Sequence, residues 1–185
     1  MDFLEILENS PVIAAVRCDE DLEKCFKTSC RVIFILYGTI CTIPGIIERV
    51  KAHGKIAIVH MDFITGLSIK DIAVEFLSQN NTDGIISTKP NLVKEARNEG
   101  LIAIQRTFIV DSIAIDSLGK QISLSMPSAI EIMPGIMPDI IRKITSEINI
   151  PVIAGGLLSE KRHVISALSA GADAVSTTNH SLWYV

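Results

Sequence analysis

The chain has 185 residues, of which 48% are hydrophobic, and its 17 Lys and Arg against 21 Asp and Glu give a net charge of −4 at pH 7. This apolar content excludes an intrinsically disordered chain. A mean hydropathy of +0.40 brings a membrane protein into question, but no stretch of 18 consecutive apolar residues occurs, so a membrane-spanning helix is not expected.

In chain order, the first residues, Met1–Glu5, lack a basic segment followed by an apolar stretch, so we expect no signal peptide and a cytoplasmic protein.

Short runs of Val, Ile and Ala then recur every 17 to 28 residues. They begin near Val12, Val32, Ile56, Gly84, Leu101, Ala129, Pro151 and Asp173. Amphipathic stretches such as Ile46–Val50 and Ile140–Ile144 separate them. Continuous hydrophobicity in short runs indicates parallel strands that are covered on both faces.

Eight strands alternating with seven helices predict a compact (β/α)8 barrel of the TIM type, forming a single domain over residues 1–185. An open doubly wound sheet is the alternative. Closure is favoured because the repeats continue without a break and no strand has the polar character of a sheet edge. The repeat averages about 23 residues, which predicts short loops. Only two residues follow Trp183, so we expect a reduced or missing last helix, with Asp2–Asn9 as a candidate to cover one end of the barrel.

Polar residues follow most of the predicted strands, at the end of the barrel where the working sites of this fold lie. The candidates for a ligand pocket there are Arg17, His60, Asp62, Lys89, Arg106 and Glu131. Arg17, Lys89 and Arg106 are suited to an anion, although each taken alone is equally typical of a surface cation. Gln105 and Arg106 alternate along their strand, so only one of them faces the pocket.

The loops after the last two strands carry a candidate phosphate site made of Gly155, Gly156, Ser176 and Thr177. Glycine lets backbone N–H groups approach an oxyanion, and hydroxyl groups with a short helix over Thr178–Leu182 would complete the cradle. The alternative is a tight turn at the glycines and a simple helix cap after the last strand.

Two carboxylates have open roles. Glu131 lies between two isoleucines, so it needs an ion pair within the protein or hydrogen bonds from ligand hydroxyl groups. His60 and Asp62 are two residues apart on a predicted strand end and therefore share a face, which suits either a general base or a hydrogen-bonded pocket wall.

Other functional classes find no support. The motifs of dinucleotide, P-loop, zinc-protease and serine-hydrolase sites are absent, so no cofactor is expected. The four cysteines are separated by 7, 5 and 11 residues, which does not fit a metal site. The acidic net charge and scattered basic residues do not by themselves indicate nucleic-acid binding.

Several stretches together resemble one known family. They are Pro11–Arg17, His60–Asp62, Gly66–Leu67, Asp83–Lys89, Gln105–Arg106, Asp111–Ser112, Glu131–Pro138, Pro151–Leu157 and Ala174–Asn179. In this combination and order, over nearly the whole chain, the sequence resembles the glycerol-3-phosphate-responsive antiterminators that regulate glycerol uptake operons. The family pattern has serine where this chain has Thr178, which keeps the hydroxyl group.

The resemblance implies a barrel that binds glycerol 3-phosphate as its effector and, when loaded, binds leader mRNA to prevent premature termination of transcription. It implies that Gly155, Gly156, Ser176 and Thr177 hold the phosphate, and that the other pocket candidates line the rest of the site. The RNA-binding surface is unknown from the sequence; Arg142–Lys143, Lys161–Arg162 or a homo-oligomer are the options that we leave open.

The competing hypothesis is a barrel enzyme that acts on a small phosphorylated metabolite. Such an enzyme needs an acid and a base, and either His60 with Asp62 or Glu131 with Lys89 would provide them. The resemblance favours the regulator.

Overall fold

The computed structural model describes residues 3–184. Eight parallel strands pair in chain order, and the last pairs with the first, which closes the barrel. The strands are β1 (Val12–Val16), β2 (Val32–Ile35), β3 (Ile56–His60), β4 (Gly84–Ser87), β5 (Ile102–Phe108), β6 (Ala129–Met133), β7 (Val152–Gly155) and β8 (Ala174–Thr177). The predicted (β/α)8 barrel is therefore confirmed, and each strand begins within one residue of its expected position.

The helices surround the barrel. They are α1 (Phe3–Asn9), α2 (Asp19–Phe26), α3 (Ile43–Ala52), α4 (Asp71–Gln79), α5 (Pro90–Asn98), α6 (Ser112–Ser125), α7 (Pro138–Glu147) and α8 (Lys161–Ser169). Short 3-10 helices follow β3 at Met61–Phe63 and β8 at His180–Tyr184. Within residues 3–184, no helix is long and apolar enough to cross a membrane.

Both expectations for the ends of the barrel are confirmed within the described residues. The last helix is reduced to the five-residue 3-10 turn, whose Trp183 is buried and donates its indole N–H to the Thr177 carbonyl at 2.9 Å. Helix α1 covers the amino-terminal end, because Phe3, Ile6 and Leu7 pack with side chains from inside the barrel. Asp2, the first residue of the predicted cover, lies outside the described residues.

The interior is filled in levels, each made of side chains from alternate strands, as this fold requires. Ile13, Ile58, Ile104 and Ile153 form one such level from the odd-numbered strands, and all four are fully buried. Val32, Ala129 and Ala174 lie below them at the inward positions of even-numbered strands. These apolar side chains fill the interior directly below the polar end of the barrel.

Candidate functional site

The site begins one level above the four isoleucines. Strand side chains alternate between the two faces of a sheet, so the next inward residues on the odd-numbered strands are Ala15, His60, Arg106 and Gly155. Two of these residues are small and two carry polar side chains. The level therefore leaves space that the isoleucine level does not.

A buried ion pair crosses this part of the interior. Arg106 and Glu131 are register partners on β5 and β6, and the Arg106 Nε donates to a carboxylate oxygen of Glu131. The Ser176 hydroxyl donates to the other carboxylate oxygen. Of the two interpretations of Glu131 that the sequence left open, the internal ion pair is the observed one.

His60 is 1% exposed at the end of β3, and its ring stands edge-on to Phe63 with ring centroids 4.5 Å apart. Neither ring nitrogen has a hydrogen-bond partner among residues 3–184. Burial, assisted by the nearby Arg106 guanidinium, lowers the pKa of His60 to about 3. The imidazole is therefore neutral at physiological pH.

The predicted pairing of His60 with Asp62 is wrong. β3 ends at His60 and a 3-10 helix begins at Met61, so the alternation of a strand no longer applies to Asp62. Asp62 instead accepts hydrogen bonds at 2.8 Å from the Ser87 hydroxyl and from the backbone N–H and hydroxyl of Thr88. Burial would raise the pKa of Asp62, but these hydrogen bonds outweigh it and the pKa is lowered.

The second proposed acid and base, Glu131 with Lys89, are not paired either. Lys89 Nζ lies 3.4 Å from an Asp62 oxygen, whereas Glu131 pairs with Arg106. Neither of the two acid–base pairs that the sequence offered is formed: Asp62 pairs with Lys89, and Glu131 pairs with Arg106. The His60 imidazole remains outside both pairs.

A cavity of about 500 Å³ opens at this end of the barrel, above β1 and β5–β8. Its lining residues are Ala15, Leu36, Arg106, Met133, Gly156, Leu157, Leu158, Ser159, Ser176, Thr177, Thr178 and Asn179. Of the three predicted cations, Arg106 is the one that lines this cavity. The Arg17 side chain is 62% exposed, and its Nε lies 3.8 Å from a carboxylate oxygen of Asp21. Lys89 forms an ion pair with Asp62.

The loops after β7 and β8 form the cavity wall that was predicted to bind phosphate. A β-carbon on Gly155 would lie 2.5 Å from a Glu131 oxygen, so only glycine fits beneath the wall. Gly156 has a φ of +78°, and its carbonyl accepts a hydrogen bond from the Gly135 N–H at 3.1 Å. The Met133 methyl carbon would lie 2.6 Å from a β-carbon on Gly156, so the chain packs closely at both glycines.

The two predicted hydroxyl groups have partners within the protein. Thr177 points away from the barrel interior, and its hydroxyl donates to the Leu158 carbonyl at 3.1 Å. It also accepts the Asn179 backbone N–H at 3.1 Å, while the Asn179 side chain donates to the Ser159 carbonyl at 2.9 Å. These bonds tie the two loops together, and phosphate binding at Gly155, Gly156, Ser176 and Thr177 stays a prediction.

Sequence reasoning did not name Ala15, Leu36 or Met133 as site residues. Ala15, Leu36 and Met133 follow the inward alternation of β1, β2 and β6, so the strand register would have found them. Among residues 3–184, no group of three or more His, Cys, Asp or Glu side chains is placed to hold a metal ion.

Comparison with known proteins decides the family. The model of a family described as "Glycerol-3-phosphate responsive antiterminator" matches residues 12–183. This chain belongs to that family. A protein of Escherichia coli strain K12, uncharacterized protein YgcP, is 43% identical over 184 residues, which cover 99% of this chain and 96% of that protein.

Two solved structures are also similar to this chain. The glycerol uptake operon antiterminator regulatory protein of Listeria monocytogenes strain 4b F2365 has a TM-score of 0.90 and 35% identity, with 95% of each chain covered. A glycerol uptake operon antiterminator-related protein of Thermotoga maritima MSB8 has a TM-score of 0.85 and 28% identity, covering 94% of this chain and 98% of that one.

Proposed function

We propose that this antiterminator family member senses glycerol 3-phosphate in the 500 Å³ cavity and, when loaded, binds leader mRNA to promote antitermination of glycerol uptake genes. The observation that carries this proposal is the family match over residues 12–183, whose description names a response to glycerol 3-phosphate. The cavity supports it, because its volume lies within the usual range for small-molecule sites.

The phosphate group is proposed to lie against the wall made by the loops after β7 and β8. The backbone of Gly156 is accessible there, and Thr178 and Arg106 line the same cavity. The hydroxyl groups of Ser176 and Thr177 already donate to Glu131 and to the Leu158 carbonyl. Their part is therefore to hold the wall in place, with Arg106 supplying the positive charge.

A calorimetric titration with glycerol 3-phosphate tests the ligand. Arg106→Lys keeps a cation beside Glu131 but loses the planar guanidinium, so affinity is expected to fall about tenfold. Arg17→Ala is the matched control, since Arg17 lies outside the cavity lining, and its affinity should stay within about twofold. No heat of binding at millimolar glycerol 3-phosphate in the unaltered protein would overturn the proposed effector.

The RNA partner is tested by mobility shift with the leader transcript of a glycerol operon. Helix α8 begins at Lys161, directly after the loop that lines the cavity, and Lys161 and Arg162 are exposed there. Replacing both with Glu should weaken leader binding about tenfold and lower its salt dependence, while ligand binding remains. Lys94→Glu on the exposed side of α5 is the control.

Leader binding that appears only with glycerol 3-phosphate supports the regulator. Equal affinity for unrelated RNA, or none for the leader, would contradict it and favour a barrel enzyme acting on a small phosphorylated metabolite. Turnover of glycerol 3-phosphate is the measurement that would then identify such an enzyme.

A further inference from the structure

Helix α6 is the longest of the helices around the barrel, and it buries the smallest share of its residues. It has 14 residues, of which Leu118 and Ser125 are buried, whereas α3 buries four of its ten. A helix at the surface of a globular protein usually packs a wide apolar stripe against the core. The outward face of α6 is therefore a candidate interaction surface.

The outward face of α6 carries apolar side chains at both of its ends. Ile113 lies in the first turn and Leu124 in the last turn, and both are more than half exposed. Val110 and Met126, just beyond the two ends of the helix, are also more than half exposed. Single exposed apolar side chains are ordinary at a protein surface, but four that flank one helix indicate a contact surface.

Two charged residues lie between these apolar ends. Asp116 and Lys120 are four residues apart, and both are exposed. The spacings of three, four and four residues along Ile113, Asp116, Lys120 and Leu124 keep all four side chains on one face of the helix. Among residues 3–184, neither Asp116 nor Lys120 forms an ion pair. Both charges are therefore available to a partner.

This order of side chains is complementary to itself when it is reversed. If α6 of a second copy lies antiparallel across the first, Ile113 meets Leu124 of the partner subunit, and Asp116 meets Lys120 of the partner subunit. Two-fold symmetry repeats both contacts, because an isologous interface uses the same surface on both copies. A parallel arrangement would instead bring like charges together. The charges therefore favour the antiparallel pair.

Gly119 lies in the middle of α6, close to where the two-fold axis of such a pair would pass. It is exposed, and a β-carbon added there would meet nothing within 4 Å, so packing within the chain does not require glycine. A glycine inside a helix costs about 1 kcal/mol relative to alanine. Without a side chain at this position, the middle of α6 has little bulk that would keep a second helix away.

We propose that this protein forms a two-fold symmetric homodimer in which α6 packs antiparallel against α6 of a second copy. Asp116 and Lys120 form two reciprocal ion pairs, and Ile113 and Leu124 make the apolar contacts on either side of them. The cavity stays open in this dimer, because no residue of α6 lines it. This interface does not depend on the ligand, so it goes beyond the proposed function.

Sedimentation velocity over a series of protein concentrations tests the interface by charge reversal. Asp116→Lys or Lys120→Asp places like charges opposite each other twice, so each should raise the dimer dissociation constant about 10- to 100-fold. The double variant Asp116→Lys/Lys120→Asp restores opposite charges across the two-fold axis. Its dissociation constant should return to within about fivefold of that of the unaltered protein.

The apolar contacts have a matched control elsewhere on the barrel. Leu124→Glu should also raise the dissociation constant at least about tenfold, because it places a charge in the apolar part of the interface. Ile72→Glu on α4 is the control, since Ile72 is exposed to a similar extent and lies outside the proposed interface. All of the substituted positions are exposed, so circular dichroism spectra should show the same folded barrel in every variant.

Three results would overturn this interface. An unaltered protein that sediments as a monomer at submillimolar concentration forms no such dimer. A dimer that persists in both single charge reversals and in Leu124→Glu would have its interface elsewhere. A double variant that dissociates as readily as the single ones would mean that Asp116 and Lys120 do not face each other. None of these measurements uses glycerol 3-phosphate or RNA, so they are independent of the proposed function.

Discussion

Two neighbouring levels of the barrel interior differ sharply, although the same four strands build both. At the lower level, β1, β3, β5 and β7 present Ile13, Ile58, Ile104 and Ile153. Two residues further along, the same strands present Ala15, His60, Arg106 and Gly155. One step of about 7 Å along the strands therefore separates a filled apolar level from one with space and polar groups.

The even-numbered strands make one side of the upper interior apolar and the other side polar. β2 and β4 contribute the apolar Phe34 and Ile86, whereas β6 and β8 contribute Glu131 and Ser176. The cavity lies mainly on the side of β5–β8, together with these polar groups. We infer that the lower level stabilises the barrel and that recognition is confined to the upper interior on this side. The predictions that follow test that division.

The largest expected effect is that of Glu131→Ala in the upper level. The substitution leaves the Arg106 guanidinium buried without its carboxylate, which should lower the free energy of unfolding by about 3–5 kcal/mol in urea denaturation. Asp139→Ala is the control, because Asp139 pairs with Arg142 at the surface and its loss should cost at most about 1 kcal/mol. Equal losses for the two variants would contradict a buried pair.

The second effect is a pH dependence that belongs to His60. Its folded pKa of about 3 lies below the usual value of 6.5, so the unfolded chain binds more protons at intermediate pH. The free energy of unfolding should therefore fall by about 2 kcal/mol from pH 7.5 to pH 5 on account of this residue. Asp62, whose pKa is lowered from 3.8, loses its contribution only at lower pH.

His60→Leu supplies the comparison for this pH dependence. Its urea denaturation curves at the two pH values should differ by about 2 kcal/mol less than those of the unaltered protein. An identical pH dependence in both proteins would mean that the pKa of His60 is the same in the folded and in the unfolded state.

The third effect concerns the space in the upper level. A β-carbon in Gly155→Ala would lie 2.5 Å from a Glu131 oxygen and 2.6 Å from the Ser176 hydroxyl oxygen. Overpacking of this kind costs about 1–3 kcal/mol and should also weaken glycerol 3-phosphate binding. In Gly45→Ala, on α3, the added carbon meets nothing within 4 Å, so stability should be kept or raised with unchanged ligand affinity.

The sequence was sufficient to predict the fold because most of the strands are short, mainly apolar runs that recur at regular intervals between amphipathic stretches. It also brought Arg106, Gly156, Ser176 and Thr177 to the correct end of the barrel, since position along a strand decides that end.

The pairing of side chains was not predictable in the same way. Arg106 meets Glu131 because of the register between β5 and β6, and a single sequence does not contain that register. Asp62 does not share a strand face with His60, because a 3-10 helix begins at Met61. Nothing in the sequence around Met61 marks the end of the strand at that point. The isolation of His60 is a consequence of both.

The smallest expected effect is that of Ile153→Val in the lower level, one position below Gly155 in the interior of β7. Ile153 is fully buried, so removing one methyl group should lower the free energy of unfolding by about 0.5–1.5 kcal/mol in urea denaturation. Its affinity for glycerol 3-phosphate should not change in calorimetric titration, because the isoleucine level is already filled and does not line the cavity. A loss of affinity comparable to that of Gly155→Ala would mean that the two levels act as one unit. Stability and recognition would then share the whole interior, because a small shift in the packed lower level would move His60 and Arg106 above it.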